Sequence, residues 1–468
     1  MKYLNTVIIT IIVITSSSCS FKNERPVNSD NIVLFKGASV INAEAIRPRP
    51  AKWWQDIGDE DLGEIINRAL SNNFSIEAAR HKLSQVQALG IISERSLQPT
   101  LEGSLGASRN SSGGSGSASI PKNNYKMGLS AKWEVDLWGR VRAERSAWHT
   151  DLEQSRENIQ AAALIVTAEI SSTYLSLAEL LERTKLINMK KVLLVDLEAL
   201  TEMKRRQGLV SNQELVEASK RITEIDAIIS SLALELEKYN NKLSVLLGSN
   251  SSTILKTQPK LIELPALPAI SSNIILGRPN ISMALRSIEG ARYRLRSAKA
   301  SRFPALSFSG SGGWNSSVID TLLNSWTSSL ASAIIVPILD QGRRQSEVAK
   351  QKSVVEEKIS LCRGLAAEAF AEIRTAMVQE ETLSKVLVHR EKNLELSKKN
   401  LSYIEQKYLN GRLSKAEVIM GELSVIDSKI GCLNLKLGIR NARVSIYRAL
   451  GPSDIERNLI TSLEKHKK

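Results

Sequence analysis

The chain has 468 residues, of which 42% are apolar and only 4% aromatic, and it carries 63 Lys and Arg against 49 Asp and Glu, a formal charge of +14. Ala, Leu, Ile, Ser, Lys and Glu dominate, a composition that suits long helices better than a compact core. The positive excess does not indicate nucleic-acid binding, because Lys and Arg are interleaved with Glu along helical stretches and no basic cluster carries stacking aromatics.

The first residues read as a targeting segment. Lys2 precedes the apolar run Val7 to Ile14, and Ser16-Ser17-Ser18-Cys19 follows. The run is too short to cross a bilayer, which takes about 20 residues. Small residues before a cysteine resemble a bacterial lipoprotein cleavage site, with Ser16 standing where that pattern usually has Leu. The resemblance implies a signal peptide over 1–18 and a covalent lipid on Cys19. Ser20 replaces the Asp that holds such proteins at the inner membrane, which points to the outer membrane. An ordinary secretory signal with an incidental Cys is the alternative. Residues 19–52, with Pro26, Pro48 and Pro50, read as an extended tether.

Trp53-Trp54 opens a short helix from Asp59 to about Leu70, and a second runs from about Ser75 to Ser96, ending before Pro99. The period then becomes two. Leu101, Gly103, Leu105 and Ala107 share one face of a strand over about 100–109, and Asn110 to Ser119 is a Ser/Gly turn region. The partner strand, about 124–138, alternates Tyr125, Met127, Leu129, Ala131, Trp133, Val135 and Leu137 with Lys126, Gly128, Ser130, Lys132, Glu134 and Asp136. One apolar and one charged face fits a membrane barrel strand, and equally a half-buried strand of a soluble sheet.

From Arg140 to Arg206 no Pro or Gly interrupts. Such a helix is about 100 Å long at ~1.5 Å per residue, too long for a globular core. After Gly208 a second helix, about Ser211 to Leu247, holds a heptad through Ile222, Ile225, Ile229, Leu232, Leu236, Tyr239, Leu243 and Leu246. Residues 249–278 form a linker with Pro259, Pro265 and Pro268. The pattern then begins again: 279–451 repeats 53–248. Gly139 and Gly342, Gly208 and Gly411, and Gly248 and Gly451 are each 203 residues apart, as are Ala168-Glu169-Ile170 and Ala371-Glu372-Ile373. A constant offset through several landmarks marks duplicated structure. Strands fall at about 305–313 and 326–339, a helix at Arg343 to about Asn410, and a basic tail at 452–468. Cys362 and Cys432 sit at heights differing by roughly 40 Å on neighbouring helices that turn near Gly411, so they read as buried small residues and not as a disulfide.

Four strands do not close a barrel, which takes about eight. An open edge in lipid leaves backbone groups unpaired. Membrane strands here therefore require several copies to pool them, and the long helices would pool into a tube on the same axis.

Four stretches give the chain, from about Trp53 to Gly451, a resemblance to the outer-membrane efflux (TolC-like) family, in its lipoprotein branch serving resistance-nodulation-division pumps. They are Trp53-Trp54 with Leu62, Ala79 and Leu83; Trp133-Glu134-Val135-Asp136-Leu137-Trp138-Gly139-Arg140; Arg278-Pro279-Asn280-Ile281 leading to Phe303-Pro304-Ala305-Leu306; and Val336-Pro337-Ile338-Leu339-Asp340-Gln341-Gly342-Arg343. The resemblance implies a mainly α, internally duplicated fold: a homotrimer with a 12-stranded outer-membrane barrel, four strands per chain, on a 12-helix periplasmic tube. It implies a passive exit channel of a tripartite pump for drugs or other small toxic compounds, with a periplasmic adaptor and an inner-membrane transporter as partners and no cofactor besides the lipid on Cys19. Gly139-Arg140 and Gly342-Arg343 become strand-to-helix junctions.

The family meets its adaptor through an Arg-x-Gly-x-x-Ser/Thr pattern at the helix tips. Arg206, Gly208, Leu209, Val210 and Ser211 fit it in full; Gly411, Arg412, Leu413 and Ser414 keep Gly and Ser, with Leu409 at the Arg position. The glycines serve equally as turn formers and the serines as N-caps. Glu214 and Glu417 match acidic positions of the family's periplasmic gate, whereas its second acidic residue in the second repeat is Met420 here. The alternatives are a lipid-anchored periplasmic coiled-coil scaffold and a type I protein secretion duct. An enzyme is not expected: His81, His149, His389 and His466 lack metal-ligand spacing, and there is no Gly-rich phosphate loop or Gly-x-Ser-x-Gly.

Overall fold

In the computed structural model the described residues are 53–110, 122–249, 264–265 and 277–451. Cys19, the signal segment, the tether, most of the linker and the basic tail lie outside them.

A short 3-10 turn, Trp53–Asp56, leads into α1 (Glu60–Asn72) and α2 (Phe74–Arg95). Then come β1 (Thr100–Asn110), β2 (Lys122–Val135), α3 (Arg140–Arg206) and α4 (Asn212–Leu246). The second half supplies α5 (Pro279–Ala300), β3 (Ala305–Ser316), β4 (Trp326–Ile335), α6 (Arg343–Leu409) and α7 (Lys415–Leu450). Pro279 opens α5 at its first turn, where a missing N–H costs nothing. Helices α3 and α6 both have 67 residues, about 100 Å each. Among the described residues, the glycines with positive φ are Gly139, Gly208, Gly248, Gly342, Gly411 and Gly451, the three pairs whose spacing defines the repeat.

The four strands form one antiparallel sheet in the order β1-β2-β3-β4. Strand β2 stops at Val135 and β4 at Ile335, three and four residues before the alternation predicts. Beyond Val135 the chain turns so that Asp136 reaches the start of α3. Beyond Ile335, Pro337 lacks the N–H a ladder needs. Strand β3 runs on to Ser316, because Asn315 and Ser316 still find partners in Lys126 and Tyr125.

Helix α3 is the centre of the helical part. It packs against α1, α2 and α5 on the sheet side and α4 and α7 towards the tips, while α6 packs mainly on α5 and α7. Leu180, Ile187, Leu194 and Leu197 of α3 meet Ile225 and Leu232 of α4 and Ile419 and Leu423 of α7 in one core, with Ile222, Ile229, Leu236 and Tyr239 packed against it. The heptad of α4 thus faces α3. Helix α3 has a window apolar enough to cross a bilayer, but 67% of that window is buried within the protein, so it is a core helix. Cys362 and Cys432 are both buried and free.

The middle of the molecule is fastened by residues far apart in sequence. Trp53 lies against the Tyr447 ring at 5.3 Å. The Tyr447 hydroxyl donates to Asp56 at 2.9 Å, and the Tyr174 hydroxyl donates to Asp59, which also caps α1. Burial, then Asp56, pushes the Tyr447 phenol up to about 12. Burial and Asp59 raise Tyr174 likewise. Arg443 holds Glu380 through two bonds of 2.9 and 2.5 Å and donates a third, of 2.8 Å, to the Pro265 carbonyl.

Candidate channel surfaces: sheet faces, junctions and helix tips

Directly opposed residues of an antiparallel sheet share a face, so the register sorts the whole sheet. One face carries Leu101, Leu105, Met127, Leu129, Trp133, Phe308, Trp314, Trp326, Leu330 and Ile334. Several are far more exposed than core residues, Leu105 at 81% and Leu330 at 85%. The other face carries Glu102, Ser104, Ser108, Lys126, Ser130, Lys132, Ser307, Ser309, Ser311, Asn315, Thr327 and Ser329. Trp133 stacks on Phe308 near the helices, with Trp138 on Phe303 just beyond. Tyr125, Trp314 and Trp326 lie at the far end of the same face. Eight residues separate Trp133 from Tyr125. At ~3.3 Å per residue and a tilt near 40°, that is a band of about 20 Å between two aromatic rows, close to that of outer-membrane barrels. Among the described residues neither β1 nor β4 has a partner on its outer side.

At the first junction Gly139 adopts φ 75° and at the second Gly342 adopts φ 82°, a left-handed conformation that disfavours every residue with a Cβ. Asp136 accepts from the Val141 and Arg142 amides at 3.1 and 2.9 Å, serving the unpaired N–H groups at the start of α3. Asp340 accepts from the Gly342 and Arg344 amides at 3.1 and 3.3 Å. It sits one residue nearer its glycine than Asp136 does, and Gln341 takes φ 52° to let it reach. Arg140 is forked on Glu134, with bonds of 2.9 and 2.8 Å, and also meets Glu144. Arg343, its counterpart, is exposed and makes no ion pair among the described residues.

The two tips turn at Gly208 and Gly411, with φ 73° and 70°. At the first, Arg206 donates to Glu202 at 2.9 Å and Arg205 donates to both Glu202 oxygens at 2.7 and 3.0 Å. Hydrogen bonds from Arg205, then Arg206, hold the Glu202 carboxyl down at about 2. Leu209 is exposed, with Val210 partly covered beside it. At the second tip Leu409 and Arg412 are exposed, Leu413 is half-buried, and Lys415 stands over the Tyr408 ring at 6.0 Å. The predicted gate carboxylates have a defined local role. Glu214 and Ser211 form a capping box at the start of α4, and Glu417 and Ser414 form one at the start of α7. The Ser414 amide donates to Glu417 at 2.7 Å, and this bond, followed by the Ser414 hydroxyl, lowers the Glu417 carboxyl below its ordinary value.

The family described as outer membrane efflux protein matches residues 65–249 and 270–452, one stretch per repeat. The chain belongs to that family. As an outer membrane efflux protein it is a transport protein of the outer membrane. Over 414 residues it is 25% identical to the pyoverdine export outer membrane protein OpmQ of Pseudomonas aeruginosa, covering 86% of this chain and 87% of that one. Over 421 residues it is 25% identical to the cation efflux system protein CusC of Escherichia coli, covering 86% and 88%. The Campylobacter jejuni CmeC outer membrane channel superposes with a TM-score of 0.80 at 24% identity, covering 92% of this chain and 94% of that one. The Neisseria gonorrhoeae MtrE outer membrane channel does so with 0.77 at 24%, covering 88% and 94%.

The turn glycines of the efflux protein's tips and junctions and the faces of β1 and β2 follow from the sequence pattern, whereas Glu202 as the anchor of the tip arginines was missed. The signal was there, since a Glu three and four residues before two Arg lies on their helix face. Also missed were Tyr174, Tyr447, Glu380 and Arg443, whose partners are distant in sequence and leave no local pattern.

Proposed function

We propose that three copies of this chain close into one exit duct, a 12-stranded barrel above a 12-helix tube, that passively conducts small molecules out of a tripartite pump. The observation that carries it is the sheet with an exposed apolar face, a polar face and two unpaired edges, which no single copy satisfies in lipid. The partners proposed are a periplasmic adaptor and an inner-membrane transporter of resistance-nodulation-division type. Arg206, Gly208, Leu209, Val210 and Ser211 form one adaptor-contacting tip, and Gly411, Arg412, Leu413 and Ser414 the other. Cys19 is proposed to carry the anchoring lipid. The relatives' names cover pyoverdine export and cation efflux, so the transporter and not the duct is proposed to choose the cargo. Native mass spectrometry of the detergent-purified protein tests the assembly: three chains are expected, and a stable monomer that forms no pores in planar bilayers overturns it.

Glu214 and Glu417 are proposed as a carboxylate ring at the periplasmic mouth in addition to their capping role. Glu417→Gln should weaken divalent-cation block of the pore. An unchanged block in a verified trimer removes the gating role and leaves the cap.

A further inference from the structure

On the polar face of the sheet the charged residues are few and their spacing is fixed by register. Glu134 is neutralised by the forked Arg140. Glu102 lies opposite Ser130, and Lys132 opposite Thr100, so Glu102 and Lys132 are diagonal neighbours, about 7–8 Å apart at the backbone. Lys126 differs. It stands opposite Gly106 on β1 and Asn315 on β3, and the neighbouring polar-face positions are Ser104, Ser108, Asn124, Gly128 and Gly313, with the register position of a second lysine, Lys122, four residues further from the helices. Its side chain is exposed, and among the described residues it makes no ion pair. Four residues along β2 separate it from Ser130, the level of Glu102, about 13 Å. Six separate it from Lys132, about 20 Å. Both exceed the Debye length of ~8–10 Å at physiological salt. Glu102 therefore offsets Lys132 and leaves Lys126 uncompensated, in a wall of Ser, Gly and Asn.

We propose that Lys126 sets the charge preference of the duct's outer section: three copies form a tier of ammonium groups that favours anionic solutes over cations on the way out. The inference rests on the trimeric barrel proposed above, because only there does the polar face enclose a lumen. Fixed charges of one sign ringing a water-filled pore raise the local concentration of the opposite ion. The ring lies near the end of the sheet remote from the helices, and the tip carboxylates at the other end of the molecule are far outside its range.

The test is the reversal potential of the purified channel in planar bilayers under a tenfold KCl gradient at low ionic strength. Lys126→Glu should raise the permeability ratio of potassium to chloride by about twofold or more, and Lys126→Gln by less. A Lys126→Cys channel gives a second reading in a protein already folded and conducting: a negatively charged thiol reagent should shift selectivity towards potassium and a positively charged one back towards chloride. Conducting channels in which neither Lys126→Glu nor the charged reagents move the reversal potential overturn the inference and leave the duct intact. A wild-type protein that forms no pores overturns the duct itself.

Discussion

The Arg443–Glu380 pair is the sharpest place to perturb the helical part. It joins α7 to α6, and its two side chains are only 4% and 13% exposed. The Arg443 guanidinium is also tied to the Pro265 carbonyl at 2.8 Å. Replacing Glu380 by Leu leaves a guanidinium in a dry site with the Pro265 carbonyl and the Tyr447 hydroxyl in place of a carboxylate. Breaking a buried pair from one side costs about 3–5 kcal/mol, and the surviving Pro265 bond places the expected loss near the lower end, about 3 kcal/mol. Arg443→Met should cost less, because Glu380 is closer to solvent and can take up a proton. The double variant, Glu380→Leu with Arg443→Met, should be more stable than Glu380→Leu alone, since an apolar pair of similar volume needs no counter-charge. The assay is the urea midpoint by tryptophan fluorescence at constant detergent, read as rank order because an oligomer need not unfold in two states. If the double variant loses as much as the two singles together, the pair is not the coupled, buried unit described here.

Other consequences follow from the same geometry. Gly139→Val and Gly342→Val should each reduce the yield of heat-resistant trimer, because a β-branched residue at positive φ costs about 1–3 kcal/mol; normal yields would remove the junction glycines from the account. Asp136→Ala should cost about 1–2 kcal/mol, as loss of a helix N-cap does, with Asp136→Asn retaining most of it; the same urea midpoints measure both. The raised folded-state value of Tyr447 means that the Tyr447–Asp56 bond contributes fully below pH 10 and is lost as pH climbs towards about 12. The alkaline unfolding midpoint should therefore be less steep in that window for Tyr447→Phe, and an identical profile would show that the phenol does not titrate with unfolding.

The parts of the fold that obey local rules were legible in the sequence. Alternation gave β2 its two faces, the absence of Gly and Pro gave α3 its length, and a fixed offset of glycines gave the duplication. All six of those glycines carry positive φ, so the sequence signal and the backbone requirement have one cause. Strand ends were less legible, because alternation continues into Leu137 and Leu339 while the backbone there already serves helix caps. The middle clamp was invisible: Asp56 and Tyr447 are 391 residues apart, and Glu380 and Arg443 are 63 apart. At the tips two readings of one motif competed. Ser211-x-x-Glu214 and Ser414-x-x-Glu417 are capping boxes by spacing alone, and their carboxylates are engaged as such, whatever they also do in the assembled mouth.

The central claim is that the strands between Thr100 and Ile335 lie in the membrane and do not merely hang from a lipid. Exchanging residues 1–19 for a secretory signal that attaches no lipid separates the two. The protein should still fractionate with the outer membrane and resist a carbonate wash. Recovery of folded protein in the soluble periplasmic fraction would contradict that claim and favour a lipid-anchored scaffold.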